Sequence, residues 1–167
     1  MFIVFFVSSI IFDKKWKFGK SYISDLGISE SPPARYFFNG GCIICGTLFV
    51  SSIIEFVIRD DLAILDYVVS ALSIIMGVLF VAIGVINKEM RPHHRRIALS
   101  FFTVGFVLTV IMMLRDTYDA RYVLAIVTMV GIAATVLSTK KLEWPATEVV
   151  GSLILLAIVS IHFFTIV

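Results

Sequence analysis

The chain has 167 residues, 59% of them hydrophobic and 16% charged, with a mean hydropathy of +1.01. Soluble domains run at about 45–50% apolar and about 25% charged, so no single core of this size hides so much apolar surface; a soluble enzyme, a disordered chain and a disulfide scaffold are excluded. The net charge of +2 is mild, and no dense basic run with interleaved aromatics appears, which sets nucleic acid aside as a partner.

Uncharged apolar runs then give the architecture. About 20 helical residues are needed to cross a hydrocarbon layer of ~30 Å. The N-terminal run Met1–Phe12 is short for this, and a span is expected only if it continues through Asp13, Lys14, Lys15 and Trp16, where lysines snorkel and Trp suits the interface. Its charges follow the apolar stretch, unlike those of a secretory signal. Next come Tyr36–Ile58, broken only by Glu55, then Tyr67–Ile86, Ile97–Leu114, Tyr122–Thr139 and Val149–Val167. The runs are long and continuous, whereas a transmembrane barrel would show alternating segments of ~10 residues. A helix also satisfies its own backbone in lipid. The expected fold is all-α, an integral membrane bundle of six transmembrane helices in one domain, with spans over about 1–16, 36–58, 62–86, 97–114, 121–139 and 147–167.

The connections carry fitting punctuation. Ser31-Pro32-Pro33 forces an extended entry to the second helix. Asp60 and Asp61 are candidate caps for the third, Pro92 ends the third connection, Asp119 can cap the fifth helix, and Pro145 with Glu148 suits the first turn of the sixth. Eleven of the fourteen Lys and Arg residues fall on the first, third and fifth connections, and three on the second and fourth. By the positive-inside rule the odd connections face the cytoplasm of a cell membrane and both termini lie outside. Whichever side that is, the odd connections share it.

The first connection holds the densest set of polar candidates. Ser24 and Asp25 precede Leu26-Gly27 as a polar turn anchored by an apolar residue, and Asn39 lies one turn into the second helix. These side chains suit hydrogen bonds to loop backbone and helix ends, or contact with a ligand. The run Tyr22-Ile23-Ser24-Asp25-Leu26-Gly27, followed by Phe38-Asn39-Gly40 and a Gly-rich helix, resembles the opening of the prokaryotic membrane family called domain of unknown function 998. His94 with the nearby Ala98 is the weaker part of the likeness. The resemblance covers most of the chain in span order and about twenty residues at motif level. It implies a bundle of six to eight helices with no assigned reaction, similar to lipid-associated membrane proteins of the Frag and DRAM type. A short first helix and a lysine-rich first loop are departures from that pattern.

The third connection reads Asn87-Lys88-Glu89-Met90-Arg91-Pro92-His93-His94-Arg95-Arg96. A metal site here lacks enough ligands at suitable spacing, with only Asp25 and Glu89 as helpers; neither metal nor cofactor is implied. Arg95 and Arg96 fit either a plain orientation signal or contact with a lipid phosphate, which matches the planar fork of arginine.

Inside the spans little chemistry is on offer. Glu55 and Arg59 stand i,i+4 as an interfacial ion pair, and His162 reads as a headgroup-level neutral imidazole. Cys42 and Cys45 read as small packing residues. Ser73, Gly77 and Gly84 place small residues on neighbouring turns, favouring close helix packing and admitting a homo-oligomer through those faces. No P-loop, nucleophile elbow or dinucleotide fingerprint occurs.

Three functions remain open: a lipid-binding or lipid-handling protein that uses Ser24, Asp25, Asn39, His94, Arg95 and Arg96 on one membrane face; an intramembrane lipid-modifying enzyme with Asp25 and His94 as acid and base; and a small-solute permease. A purely structural partner subunit is a fourth. The first is preferred, with membrane lipids as the partner.

Overall fold

The computed structural model describes residues 1–18, 20–60, 62–115 and 151–152. Every regular element bounded among them is helical: α1 (Phe2–Phe12), α2 (Pro32–Arg59), α3 (Ile64–Val85) and α4 (Arg91–Arg115), with short 3-10 turns at Ile23–Ile28 and Lys88–Met90. The segment expected as the fifth span, and the sixth apart from residues 151–152, fall outside the described residues, as do Lys140, Trp144 and His162. Two compact units divide the chain. The first is Met1–Trp16 with Ser24–Gly105; the second contains Lys17–Ile23 and the part of α4 after Gly105.

Within the first unit, α1 stops at Phe12 instead of running on to Trp16. The cause is Asp13: its Oδ1 accepts from the backbone N–H groups of Lys15 at 2.9 Å and Trp16 at 3.2 Å, so the carboxylate turns the chain away from the helix axis. Eleven residues rise only ~16 Å, about half the hydrocarbon thickness. Helix α2 begins earlier than the apolar run, because Pro32 and Pro33 occupy its first positions, where a proline lacks only a donor that has no intrahelical partner. Its 28 residues, the 22 of α3 and the stretch Lys88–Met112 are each long and apolar enough to cross a membrane.

Two helix starts differ from expectation for physical reasons. Asp66, not Asp60, caps α3: its Oδ2 accepts from the N–H of Ala63 at 3.0 Å, one half of a capping box that the alanine cannot complete. Asp60 instead closes the end of α2, its N–H donating to the Phe56 carbonyl at 3.2 Å. Pro92 opens α4 rather than ending a connection, since its ring is tolerated in the first turn. The consequence is that Arg91, His93, His94, Arg95 and Arg96 stand on the first turns of α4.

Helices α1, α2 and α3 pack antiparallel to their sequence neighbours at points set by small residues. The Ser9 hydroxyl is fully buried and donates to the Ala34 carbonyl at 2.7 Å, while Phe5 lies over Gly41. On the other side of α2, Gly46 meets Gly77 and Val81, and Gly84 meets Asn39 and Cys42. A β-carbon on Gly84 would lie 2.6 Å from the Asn39 carbonyl oxygen, so only glycine permits this approach. The small residues of α3 are thus used within one chain. Phe2 stands edge-on to Phe80 at 4.9 Å, and Phe80 stacks on Phe101 at 5.5 Å, linking α1, α3 and α4 through aromatic rings.

In the second unit, the N–H of Lys17 donates to the Ser21 hydroxyl at 3.2 Å, and the Ser21 N–H returns to the Lys17 carbonyl at 2.9 Å. Leu108, Thr109 and Met112 are its buried side chains on α4.

Candidate functional site

The polar candidates gather where α3 ends and α4 begins. The turn Ile23–Ile28 is held down by Leu26, which is fully buried, with Ser24 buried beside it. Between them Asp25 forms an ion pair with Lys88 of the third connection. Both partners keep part of their surface open, with side-chain exposures of 34% and 23%. The pair joins the first and third connections directly, so these two lie at one end of the first unit.

Asn39 ties the same turn to α2. Helix α2 starts early, so Asn39 lies about two turns in rather than one. Its Nδ2 donates to the Gly27 carbonyl at 3.0 Å. Its Oδ1 is buried and, among the described residues, accepts no hydrogen bond. An orphaned acceptor of this kind costs about 1–3 kcal/mol; the gain on the other side is a turn clamped against the helix. The backbone of Asn39 lies against Gly84, two residues before Ile86.

His94 is buried at 7% exposure, and its Nδ1 sits 2.5 Å from the Ile86 carbonyl oxygen. A carbonyl only accepts, so Nδ1 carries the proton, and in the neutral ring Nε2 holds the lone pair. The Ile86 carbonyl lies at the end of α3, where carbonyls lack intrahelical partners. His94 is therefore a cap for α3 supplied by the first turns of α4. Within the corner itself, Asn87 Oδ1 accepts from the Glu89 N–H at 3.1 Å.

Thus contacts from Asp25, Asn39 and His94 all land between Gly84 and Lys88. Arg95 and Arg96 follow on α4 but point outward: both are exposed, as are Arg91 and His93, and among the described residues the three arginines form no ion pair. Arg91 stands at the positive end of the helix macrodipole, where a cation is disfavoured by about 0.3–1 kcal/mol, and Arg95 lies one turn on as a like charge at i,i+4. Asp25 and His94 are engaged by different partners, Lys88 and the Ile86 carbonyl. Sequence reasoning missed Lys88, reading it only as an orientation charge; the signal was that a carboxylate in an otherwise apolar turn needs a counter-charge.

A second ion pair, Lys15 with Glu30, closes the first connection at its surface. The hydrogen bond that Lys15 donates to Glu30, then the charge of that carboxylate, holds the Lys15 ammonium above the usual lysine range. The ion pair expected on α2 does not form. Glu55 and Arg59 are both exposed on α2 and form no ion pair with each other. Cys42 is fully buried and Cys45 partly so, and both are free thiols. Among the described residues no three His, Cys, Asp or Glu side chains converge on a metal position.

The Ser-Asp-Leu-Gly turn clamped by an asparagine on the next helix is the motif that suggested a relative. A family model described as "Protein of unknown function (DUF998)" matches residues 1–167. The chain belongs to the DUF998 family. No curated protein and no solved structure matches it. This DUF998 chain is a helical membrane protein, and some of the residues by which it resembled the family build the corner: Ser24 to Gly27, Asn39 and His94.

Proposed function

We propose that this DUF998 protein binds a phosphate-bearing lipid headgroup at the polar rim formed by the first connection and the start of α4, without catalysing a reaction on it. The reading takes the chain as six spans in the cell membrane, with the odd connections cytoplasmic and both termini outside. Its main support is the exposure of Arg91, Arg95 and Arg96 beside the buried His94, with Arg91 at the positive helix end and repelled by Arg95 at i,i+4. An anion at the membrane surface offsets that repulsion. Arginine presents paired donors that fit phosphate, and basic patches next to spans recognise anionic headgroups. Ser24, Asp25 and Asn39 then shape the rim rather than react.

Catalysis by Asp25 and His94 is the weaker reading. Asp25 is engaged by Lys88, and His94 has committed one ring nitrogen to the Ile86 carbonyl, so the two groups bind different partners. The experiment is lipid analysis of the protein purified from native membranes. The expected result is enrichment of anionic phospholipid over bulk membrane, lost in the double variant Arg95→Ala, Arg96→Ala. A bulk-like lipid profile in both proteins overturns the reading.

A further inference from the structure

The four cations of the third connection are not equivalent. Arg91, Arg95 and Arg96 are exposed, and among the described residues no acid pairs with them. Lys88 alone is engaged by a carboxylate, and that carboxylate comes from Asp25, 63 residues away in sequence. We propose that Asp25 is an internal stand-in for phosphate: it holds Lys88 until a phosphate group displaces it, so that the Asp25–Lys88 pair is a competitive latch on the rim. This rests on the headgroup reading above and adds to it a built-in competitor.

Three observations carry the inference. The pair is reachable, since neither side chain is sealed from solvent. The turn that supplies Asp25 has other anchors, namely the fully buried Leu26 and the bond from Asn39 to the Gly27 carbonyl. Releasing the carboxylate from Lys88 therefore leaves these two anchors of the turn in place. Finally, the competing ligand is the stronger one. A part-exposed Lys–Asp pair contributes little, whereas a phosphate brings more charge and more acceptor oxygens, and charge-assisted bonds to neighbouring arginines come with it.

The test measures binding of short-chain phosphatidic acid, inorganic phosphate and short-chain phosphatidylcholine to the full chain in detergent. Asp25→Asn removes the competitor at nearly constant shape and is expected to tighten phosphatidic acid binding roughly fivefold. Glu30→Gln makes the same change of charge on the same rim but leaves Lys88 latched, and is expected to change binding little. Lys88→Ala weakens binding and cancels the effect of Asp25→Asn. Tightening by phosphatidic acid alone assigns the phosphate to a lipid, and equal tightening by inorganic phosphate assigns it to the free ion.

Equal effects of Asp25→Asn and Glu30→Gln overturn the latch, because net charge alone then explains them. So does unchanged or weaker binding by Asp25→Asn when the wild type binds. Failure of both proteins to bind any probe removes the headgroup reading as well.

Discussion

Asn39 and Gly27 constrain each other from both ends of one amide. The Asn39 Nδ2 donates to the Gly27 carbonyl at 3.0 Å, and its Oδ1 lies where a β-carbon on residue 27 would come within 2.6 Å. The glycine of the Ser-Asp-Leu-Gly turn is thus required by contact with a side chain twelve residues on, and the two residues form one fitted joint between the turn and α2.

Gly27→Ala is expected to destabilise the protein by about 1–3 kcal/mol, through overpacking against Asn39 Oδ1 and the Phe38 ring. The double variant Gly27→Ala, Asn39→Ala recovers part of that loss, because the amide that collides is gone. Thermal denaturation of the four proteins in one detergent gives the coupling. Strict additivity would show that the joint does not exist in solution.

His94 makes a prediction that separates its two nitrogens. Asparagine places its amide N–H near the position of Nδ1, so His94→Asn keeps a donor for the Ile86 carbonyl. His94→Leu keeps volume but leaves that carbonyl without its partner, at a cost of about 1–3 kcal/mol. The expected order of melting temperatures is wild type, then His94→Asn, then His94→Leu. Nitrogen NMR of labelled histidine adds a direct check, with the proton on Nδ1 in the neutral ring. A proton on Nε2 would contradict the cap.

How much of this was legible before the fold? The central apolar runs located α2 and α3, since hydrocarbon thickness fixes how long such a run must be. The parity of the connections put Asp25 and His94 on one rim, as the Asp25–Lys88 pair bears out for the first and third connections. Element ends were less legible because they depend on single side chains. Asp13 ends α1 by accepting two backbone N–H groups, and Pro92 opens a helix although the same residue breaks one elsewhere. Charge counts alone assigned Lys88 a side of the membrane and left its partner unseen, because an ion pair across 63 residues has no local signature.

The Lys15–Glu30 pair yields a pH prediction. Glu30 raises the lysine pKa in the folded protein, so the contribution to stability is full below the unfolded lysine value and disappears as pH rises through the folded value. The difference in melting temperature between wild type and Glu30→Gln is therefore expected to be constant from neutral pH to about pH 9 and to shrink above about pH 10.4. Both side chains are exposed, so the difference is small and added salt reduces it. A difference that grows with alkaline pH would reverse the sign argued here.

Gly40 and Gly41 supply the sharpest contrast, because they are identical neighbours in sequence and opposite in environment. A β-carbon on Gly40 meets nothing within 4 Å, whereas one on Gly41 would lie 2.5 Å from the Phe5 β-carbon and 2.8 Å from its ring. Gly40→Ala is expected to be neutral or stabilising by about 0.5–1 kcal/mol, since alanine loses less entropy in a helix. Gly41→Ala forces α1 off α2, because the atom in the way is a β-carbon fixed to the α1 backbone and cannot swing aside. That displacement strains the buried bond from Ser9 to the Ala34 carbonyl and the edge contact of Trp16 with Phe6, whose ring centroids are 6.0 Å apart. In a Trp144→Phe background Trp16 is the remaining tryptophan, and its emission is expected to shift to longer wavelength in Gly41→Ala and to stay put in Gly40→Ala. Equal melting temperatures and equal spectra for the two alanine variants would mean that α1 does not pack on this face of α2.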